Sequence, residues 1–235
     1  MEQYRVKRAV FLAAGMGERM LPITLNTPKP LVRVQGKRII DRLIDAVLDV
    51  GIEEIYIVRG YLAELFDQLL IKYPMIKFIE NPMYNQGNNI LSALAAGEAV
   101  VNAYVMESDL LLINPKLIKK YQYSSNVLGI PVTYSDDWCI YSQKGFISGV
   151  GIGGENCHQT VGIAYWNEED GKRVAGHYKK VVEMPGGKER FAGYAPFVKY
   201  IDEYKVSIRE CSMDDVVEID TFAELQAIDP VYKVK

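Results

Sequence analysis

The chain of 235 residues is poor in the residues that build common metal and nucleophilic centres. It has two histidines and three cysteines, and no C-x-x-C spacing occurs. This scarcity disfavours a zinc site and leaves no evident Ser-His or Cys-His triad. Cys139, Cys157 and Cys211 are odd in number and far apart, which is typical of reduced thiols. We therefore expect a cytoplasmic protein.

An excess of basic residues and long apolar runs are also missing. The net charge is −3, so no broad basic face for a nucleic-acid partner is predicted. No run approaches the roughly 18 apolar residues of a membrane helix, so we expect no membrane insertion. The apolar stretch after Arg5, Lys7 and Arg8 is short and lacks a small-x-small cleavage site, which disfavours a signal peptide. Any phosphate binding must therefore be local.

The first half of the chain alternates short apolar runs with helical patterns. Buried strands are predicted at Ala9–Leu12, Ile55–Val58, Ile76–Ile79 and Tyr104–Met106. Apolar residues recur with helical spacing over 40–48 and 62–70, and a further helix is predicted from Asn88 to about Val100. This order predicts an α/β fold with a parallel sheet, helices on both faces, and ligands at the carboxyl ends of the strands.

The pattern becomes less regular after about Ser124. Three strands and a helix are predicted there, at Val127–Val132, Trp138–Ser142, Val161–Trp166 and Glu168–Val182. A strand then starts at Val216, and Thr221 with Glu224 forms a capping box that opens a terminal helix. We interpret residues 1–235 as a single domain in which about 124–205 forms a small additional lobe that binds a second substrate.

The first predicted strand leads into a run of small residues. The run comprises Leu12, Ala13, Ala14, Gly15 and Gly17. Backbone there can approach a ligand closely, and both glycines can adopt a positive φ. Successive N–H groups in such a turn bind anions, and Arg19 and Lys29 follow with two cations. A nucleoside triphosphate has the charge that this combination suits.

Two better-known phosphate loops do not fit. The dinucleotide pattern needs a third glycine at position 20, where Met20 stands. The P-loop pattern G-x-x-x-x-G-K-[ST] does not occur, and Gly36-Lys37 is more typical of a hairpin turn. Two glycines alone also fit a tight strand-to-helix connection, so the loop by itself leaves both interpretations open.

Two pairs of acidic residues are spaced for a shared site. Glu107 and Asp109 follow a predicted strand, and Glu218 and Asp220 repeat the spacing near the end of the chain. Residues two apart on extended backbone point to one face. Carboxylates with substrate phosphates are the usual ligands of Mg²⁺, so we predict a site at Asp109, Glu218 and Asp220. Either pair also fits a strand end or helix cap.

An amide-rich stretch before a predicted helix suits a nucleobase edge. We name Asn81, Asn88, Asn89 and Ser92 as candidates, because amides both donate and accept hydrogen bonds. Asn88 or Asn89 also suits the helix N-cap.

The irregular half carries both tryptophans of the chain beside acidic residues. Candidates for the second substrate are Asp136, Asp137, Trp138 and Trp166. A cationic head over an aromatic face gains roughly 0.5 to 2 kcal/mol. Either tryptophan also fits the core of the lobe.

The longer opening pattern resembles the signature of nucleotidyltransferases that activate sugar phosphates and phosphocholine. It runs L-A-A-G-x-G-x-R, then Pro22, Thr24 and Pro28-Lys29-Pro30-Leu31. From about Ala9 to Asp229 the chain resembles bacterial CTP:phosphocholine cytidylyltransferases and relatives that act on 2-aminoethylphosphonate. The carrying residues are the signature, 84–92, 136–138, 165–166 and 216–225.

This resemblance implies a mixed, mainly parallel Rossmann-like sheet of the nucleotide-diphospho-sugar transferase type. Arg19 and Lys29 are implied to carry the charge of the triphosphate, and the Asn-Asn pair belongs to the cytidine-specific branch. Mg²⁺ is implied on an Asp after the fourth strand and on acids near the C-terminus. The expected reaction transfers CMP from CTP to phosphocholine, giving CDP-choline and pyrophosphate.

The chain departs from this pattern near its acceptor residues. Where relatives carry an aromatic residue next to an acid, this sequence has the small residues Ala192, Gly193 and Ala195, with Tyr194 as a compensating candidate. The alternatives are therefore 2-aminoethylphosphonate as acceptor, a sugar-1-phosphate nucleotidyltransferase, or a non-catalytic nucleotide-binding regulator. A dinucleotide-dependent oxidoreductase is disfavoured. The oligomeric state stays open, with a homodimer as one option.

Overall fold

The computed structural model describes residues 3–233. In that part of the chain the strands are β1 Tyr4–Arg5, β2 Arg8–Leu12, β3 Arg33–Val34, β4 Lys37–Arg38, β5 Glu54–Arg59, β6 Lys77–Glu80, β7 Ala103–Glu107, β8 Leu110–Leu112, β9 Tyr121–Gln122, β10 Asn126–Gln143, β11 Phe146–Trp166, β12 Ser207–Glu210 and β13 Val216–Glu218. The α-helices are α1 Ile39–Asp49, α2 Ile90–Ala96, α3 Glu168–Val182, α4 Ala195–Tyr200 and α5 Phe222–Ile228. The 3₁₀ helices are Glu18–Met20, Ile23–Leu25, Lys29–Leu31, Ala63–Ile71, Gly97–Val100, Pro115–Leu117, Ile201–Glu203 and Pro230–Tyr232. None of the helices in residues 3–233 has the length and apolar character needed to cross a membrane.

A seven-stranded mixed sheet forms the centre of the molecule, in the order β12-β10-β11-β7-β2-β5-β6. Strands β7, β2, β5 and β6 run parallel, and β12 is parallel to β10. Strand β11 is antiparallel to both of its neighbours. The predicted α/β fold with a mainly parallel sheet is confirmed.

Strand β2 shows how the sheet separates two cores. Its side chains alternate, so Ala9 and Phe11 pack with the apolar residues of α1, whereas Val10 and Leu12 pack with α2 and α3. This alternation follows from the period of two along extended backbone. Because β2 is central and buried on both faces, its carboxyl end opens at the middle of one sheet edge.

Local patterns predicted several elements well. The helix predicted over Glu168–Val182 has those bounds, and the four early strands agree within one residue at each end. The hairpin turn at Gly36 and the capping box at Thr221 are both present.

Other elements differ from the prediction. The stretch predicted as helical over 62–70 is a 3₁₀ helix, and the helix predicted from Asn88 begins at Ile90 and continues as 3₁₀ from Gly97. The strands predicted at Val127–Val132, Trp138–Ser142 and Val161–Trp166 merge into the long hairpin β10–β11. The pairing of β10 with β11 contains register shifts of the β-bulge type. Each strand therefore continues through these irregularities without being divided by a turn.

The segment 124–205 contributes β10 and β11 to the central sheet. Its description as an acceptor-binding lobe of a single domain stays a prediction.

Candidate active site

A cavity of about 360 Å³ opens at the carboxyl ends of β2 and β7. Of the residues predicted from the sequence, those lining it are Leu12, Ala13, Ala14, Gly15, Gly17, Arg19, Lys29, Asn88, Asn89, Ser92, Asp109, Glu218 and Asp220. Five segments distant in sequence therefore meet in one place. Ligands of open α/β sheets bind at this position.

The loop after β2 is shaped by Gly17. Its φ of +63° lies in the left-handed region, and a Cβ there would lie 3.0 Å from Thr24 Cγ2 and 3.2 Å from Lys29 Cβ. Gly17 is thus required for both its backbone conformation and its close packing. Gly15 has no positive φ, so the left-handed conformation expected for both glycines holds only for Gly17. A Cβ on Gly15 would meet no atom within 4 Å, which leaves room beside the loop.

Lys29 joins two acidic residues that are far apart in sequence. Its Nζ lies 2.9 Å from Asp109 Oδ2 and 2.9 Å from Asp220 Oδ1. Burial alone would lower the pKa of Lys29, but Asp109 and Asp220 outweigh it and raise that pKa above its ordinary value. Arg19 Nη2 also lies 2.9 Å from Asp220 Oδ1 and is mostly exposed. Both predicted cations therefore lie at the acidic end of the cavity.

Three carboxylates form a tight cluster beside this ion pair. One oxygen each of Glu107, Asp109 and Glu218 lies within 4.8 Å of the others. Burial, reinforced by Asp109, raises the pKa of Glu107 to about 7 and that of Glu218 to about 9. Asp109 Oδ1 is buried without a hydrogen-bond partner among the described residues. A divalent cation would favour the charged forms of these crowded carboxyl groups, and the free oxygen of Asp109 is available to it.

The cluster differs from the predicted set in one member. Glu107 joins Asp109 and Glu218, whereas Asp220 is neutralised by Lys29 and Arg19. The sequence signal for Glu107 was its spacing of two from Asp109. Glu218 was predicted from the sequence, and the tertiary structure brings it to the cluster, because β13 pairs with β8 and places Glu218 opposite Leu110.

Asn88, Asn89 and Ser92 line the cavity, whereas Asn81 lies outside its lining. Asn81 is 2% exposed; its Nδ2 donates to Ser92 Oγ at 3.1 Å, and its Oδ1 accepts from Met83 N. Asn81 therefore lies behind Ser92 and does not line the cavity, contrary to the expectation of direct nucleotide contact. Asn89 stands at the N-cap of α2 but makes no capping bond with its side chain.

The predicted acceptor residues form an aromatic group at one side of the cavity. The Trp138 ring stacks on Tyr194 with centroids 4.2 Å apart and an angle of 7°, and Phe191 meets Trp138 edge-on at 5.9 Å. Phe191 lines the cavity and was not singled out from the sequence. Asp137 Oδ1 accepts from Trp138 N, and Asp136 beside it is exposed.

The expectation that Trp166 faces the acceptor does not hold. Trp166 is 1% exposed and packs against Phe197 and Tyr204 in the core. Ala192 and Ala195 are buried as well, at 2% and 1% exposure. These small residues therefore fill the interior, whereas Phe191 beside them lines the cavity.

Comparison with known proteins agrees with this architecture. The model of the MobA-like NTP transferase domain matches residues 9–140, more than half of the chain. A 2-aminoethylphosphonate cytidylyltransferase of Lancefieldella rimae is 32% identical over 95% of this chain and 92% of its own length. A choline-phosphate cytidylyltransferase of Streptococcus pneumoniae is 26% identical over 96% of this chain and 98% of its own.

A solved structure of the CTP:phosphocholine cytidylyltransferase from Streptococcus pneumoniae superposes with a TM-score of 0.85. It is 26% identical and covers 97% of this chain and 100% of that chain. The chain therefore belongs to the MobA-like NTP transferase family and is a nucleotidyltransferase related to bacterial cytidylyltransferases.

Proposed function

We propose that this enzyme transfers CMP from CTP to a small amine-bearing phosphonate or phosphate, with 2-aminoethylphosphonate as the favoured acceptor. The observation that carries this proposal is the cavity in which the loop after β2, Lys29 and the acidic cluster meet beside an aromatic group. The cytidylyltransferase relatives that match more than nine-tenths of the chain support the choice of nucleotide.

The reaction is a displacement at phosphorus. An oxygen of the acceptor attacks the α-phosphorus of CTP, a new P–O bond forms, and the bond to the leaving pyrophosphate breaks. A phosphomonoester such as phosphocholine has its second pKa at about 6, so its oxygen needs no general base at neutral pH. A phosphonate also carries a negatively charged oxygen at neutral pH, so we assign it no general base either. Catalysis then comes from positioning and from neutralising charge, which is the role we assign to Lys29 and Arg19.

Glu107, Asp109 and Glu218 fit a divalent cation such as Mg²⁺. The unpartnered Asp109 Oδ1 and the raised pKa values of the two glutamates support this fit. When bound, the cation would supply positive charge to the phosphates of the nucleotide. Asp220 would act through Lys29 and Arg19, whose charged groups it holds at the cavity.

The aromatic group favours a primary ammonium over a quaternary one. A quaternary ammonium makes no hydrogen bonds and depends on open aromatic faces. One face of Trp138 is covered by Tyr194 at 4.2 Å, which reduces that open surface. A primary ammonium has three N–H donors and suits carboxylates, which the exposed Asp136 and Asp137 offer beside Trp138.

Phosphocholine is the second candidate. Relatives at 26% and 27% identity carry that activity in their names, and the Phe191 ring lines the cavity. A cytoplasmic location and a homodimer remain predictions.

The test measures pyrophosphate release with Mg²⁺, each of the four nucleoside triphosphates, and one acceptor at a time. The acceptors are 2-aminoethylphosphonate, phosphocholine and glucose 1-phosphate. We expect release with CTP and the phosphonate. Turnover of phosphocholine alone would select the second candidate. Tight CTP binding without turnover of any acceptor would support a regulator instead.

A further inference from the structure

Two of the three cysteines meet in the irregular part of the β10–β11 hairpin, where the register of pairing shifts. The Sγ atoms of Cys139 and Cys157 lie 2.9 Å apart, although the residues are 18 positions apart in sequence. Both residues are buried, at 0% and 3% exposure, and neither lines the cavity at the carboxyl ends of the strands. The third cysteine, Cys211, packs in the core that contains the apolar residues of α1. Two sulfurs are thus held in contact outside the candidate active site.

Strand pairing explains why the two sulfurs face each other. Cys139 pairs with Gly151 and also with Gln159, because β11 passes β10 a second time beyond the register shifts. Directly paired residues point to the same face, and so do residues two apart on one strand. Cys157 lies two residues before Gln159, so its side chain shares a face with that of Cys139. The path of the backbone therefore sets the contact.

Hydrogen bonds hold the reduced pair. Cys157 Sγ donates to Cys139 Sγ, and Cys139 Sγ donates to Asp137 O at 3.5 Å. A disulfide bond is about 2.05 Å long, so the two sulfurs are within about 1 Å of bonding distance. Replacing this S–H···S contact by an S–S bond therefore requires only a small displacement of two side chains.

Small residues leave the pair close to the surface. A Cβ on Gly154 would meet the hydroxyl of the half-buried Tyr141 and would lie 3.6 Å from Cys139 Sγ. A Cβ on Gly151, which is paired with Cys139, would meet no atom within 4 Å. The cover of the two sulfurs is thus thin, and a small reagent can pass it when the hairpin opens locally.

We propose that Cys139 and Cys157 form a site of reversible oxidation, at which an intrachain disulfide locks the irregular part of the hairpin. The oxidant is a low-molecular-weight disulfide, such as oxidised glutathione. The thiolate of one cysteine attacks it, forms a mixed disulfide and releases one glutathione thiolate. The second cysteine then attacks the protein sulfur, forms the bond between Cys139 and Cys157, and releases the second glutathione. The cysteines lose two protons and two electrons, and the oxidant takes up both.

The surroundings of the pair set the conditions for this reaction. Burial raises the pKa of the Cys139 thiol to about 11, and the neighbouring Cys157 acts in the same direction. Because the thiolate is the attacking form, the pair is expected to react slowly at neutral pH. In the predicted cytoplasmic location the thiols would stay reduced until an oxidant persists.

Equilibration in glutathione buffers tests the site without turnover. Under excess oxidised glutathione the wild type is expected to lose two of its three free thiols, counted with a thiol reagent in denaturant. Trypsin cleaves after Lys144, between the two cysteines, so mass spectrometry of the non-reduced digest should find their two peptides linked. Excess reduced glutathione should restore all three thiols. Absence of the link in the equilibrated wild type would overturn the inference, and so would a link from Cys211 to either cysteine.

Three variants identify the cysteines that react. Cys139→Ser and Cys157→Ser should give no linked peptides. Cys211→Ser is the matched control, because it also removes a buried thiol but keeps the pair. Should Cys139→Ser fail to fold by circular dichroism, Cys157→Ser or Cys157→Ala gives the same comparison. An oxidised Cys211→Ser protein without the link would overturn the inference.

Thermal unfolding provides a second readout. A disulfide restricts the unfolded chain, so oxidation is expected to raise the melting temperature of the wild type and of Cys211→Ser by about 3 to 10 °C. A dithiol reductant should reverse the rise, and Cys157→Ser should show none. An equal rise in Cys157→Ser, or no rise in the linked wild type, would contradict a disulfide that locks the hairpin. Both readouts are independent of catalysis, so failure of the proposed function would leave them unchanged.

Discussion

The Nζ atom of Lys29 lies 2.9 Å from Asp109 Oδ2, and the other oxygen of that carboxylate is buried without a partner among residues 3–233. In the proposed reaction this carboxylate would serve two positive charges, one from Lys29 and one from the cation that the acidic cluster fits. Asp109 would then lie where the phosphates of the nucleotide are neutralised.

Removing the charge of Lys29 should impair chemistry more than folding. We expect Lys29→Met to lower kcat by roughly 10²- to 10³-fold, the range for loss of one electrostatic contact in a transition state. Pyrophosphate release measures this. Lys37→Met is a matched control, because Lys37 pairs with Asp45 on α1 and does not line the cavity. Equal kcat values for the two variants would contradict the assigned role of Lys29.

Replacing Asp109 should remove the response to the cation. In the wild type, Mg²⁺ is expected to raise the melting temperature, because a ligand that binds only the folded state stabilises it by about 2.7 kcal/mol at 100 times its Kd. Asp109→Asn should lose most of this rise and its pyrophosphate release, and chelation should abolish the activity of the wild type. The exposed Asp202→Asn variant should respond as the wild type does. A fully active Asp109→Asn protein would refute the metal site.

Trp138 should determine acceptor affinity. We expect Trp138→Ala to raise the acceptor KM by about two- to thirtyfold, the equivalent of roughly 0.5 to 2 kcal/mol of cation–π attraction. The affinity for CTP alone should change little, since Trp138 does not line the nucleotide cavity. Kinetics at saturating CTP checks the first value and calorimetry checks the second. An unchanged acceptor KM would remove Trp138 from the site.

Trp166 should behave as a core residue. We expect Trp166→Ala to lower the free energy of unfolding by about 3 to 5 kcal/mol, because it leaves a cavity between Phe197 and Tyr204. Urea unfolding measures this loss. At a temperature where the variant is folded, the ratio of activities on the two acceptors should match that of the wild type. A shifted ratio would return Trp166 to the acceptor site.

His177 should make stability depend on pH. Burial lowers the pKa of His177 below its ordinary value of 6.5; Lys180 and Arg173 act in the same direction, and Glu203 opposes them. The neutral ring stacks on Tyr200. Since the folded pKa is depressed, this stability is present above pH 6.5 and is lost as pH falls below it.

Urea unfolding at pH 7.5 and 5.5 checks this dependence. We expect His177→Gln to show a smaller loss of stability between the two pH values than the wild type. His158→Gln, on β11, controls for removal of a histidine. A His177→Gln protein with the same pH dependence as the wild type would contradict the role of His177.

Local patterns predicted much of the fold, because they depend on contacts close in sequence. The apolar run Ala9–Leu12 indicated a buried strand, and the helix predicted over Glu168–Val182 has the bounds that are found. The long hairpin β10–β11 was not predicted as such. The two strands pair with several register shifts. Such shifts depend on contacts between residues far apart in sequence, so a local pattern of residues does not predict them.

The two tryptophans also show that a local pattern does not predict contacts between distant segments. Trp138 and Trp166 both stand beside acidic or aromatic residues in the sequence, which offered no means of separating them. Pairing of β11 with β7 places Trp166 opposite Ala103 in the sheet, with its ring in the core. Trp138 lies where the hairpin bends and meets Phe191.

By itself, the sequence determined the positions of the loop after β2 and of the two cations, because short-range spacing dictates how backbone N–H groups and charges follow a strand. The class of chemistry was implied by the resemblance to nucleotidyltransferases. Only the tertiary structure decided which acids share a site. Glu218 lies beside Glu107 and Asp109 because β13 pairs with β8. Asp220 lies outside this cluster and forms an ion pair with Lys29. Such choices depend on distances between segments that are far apart in the chain, and the fold alone sets those distances.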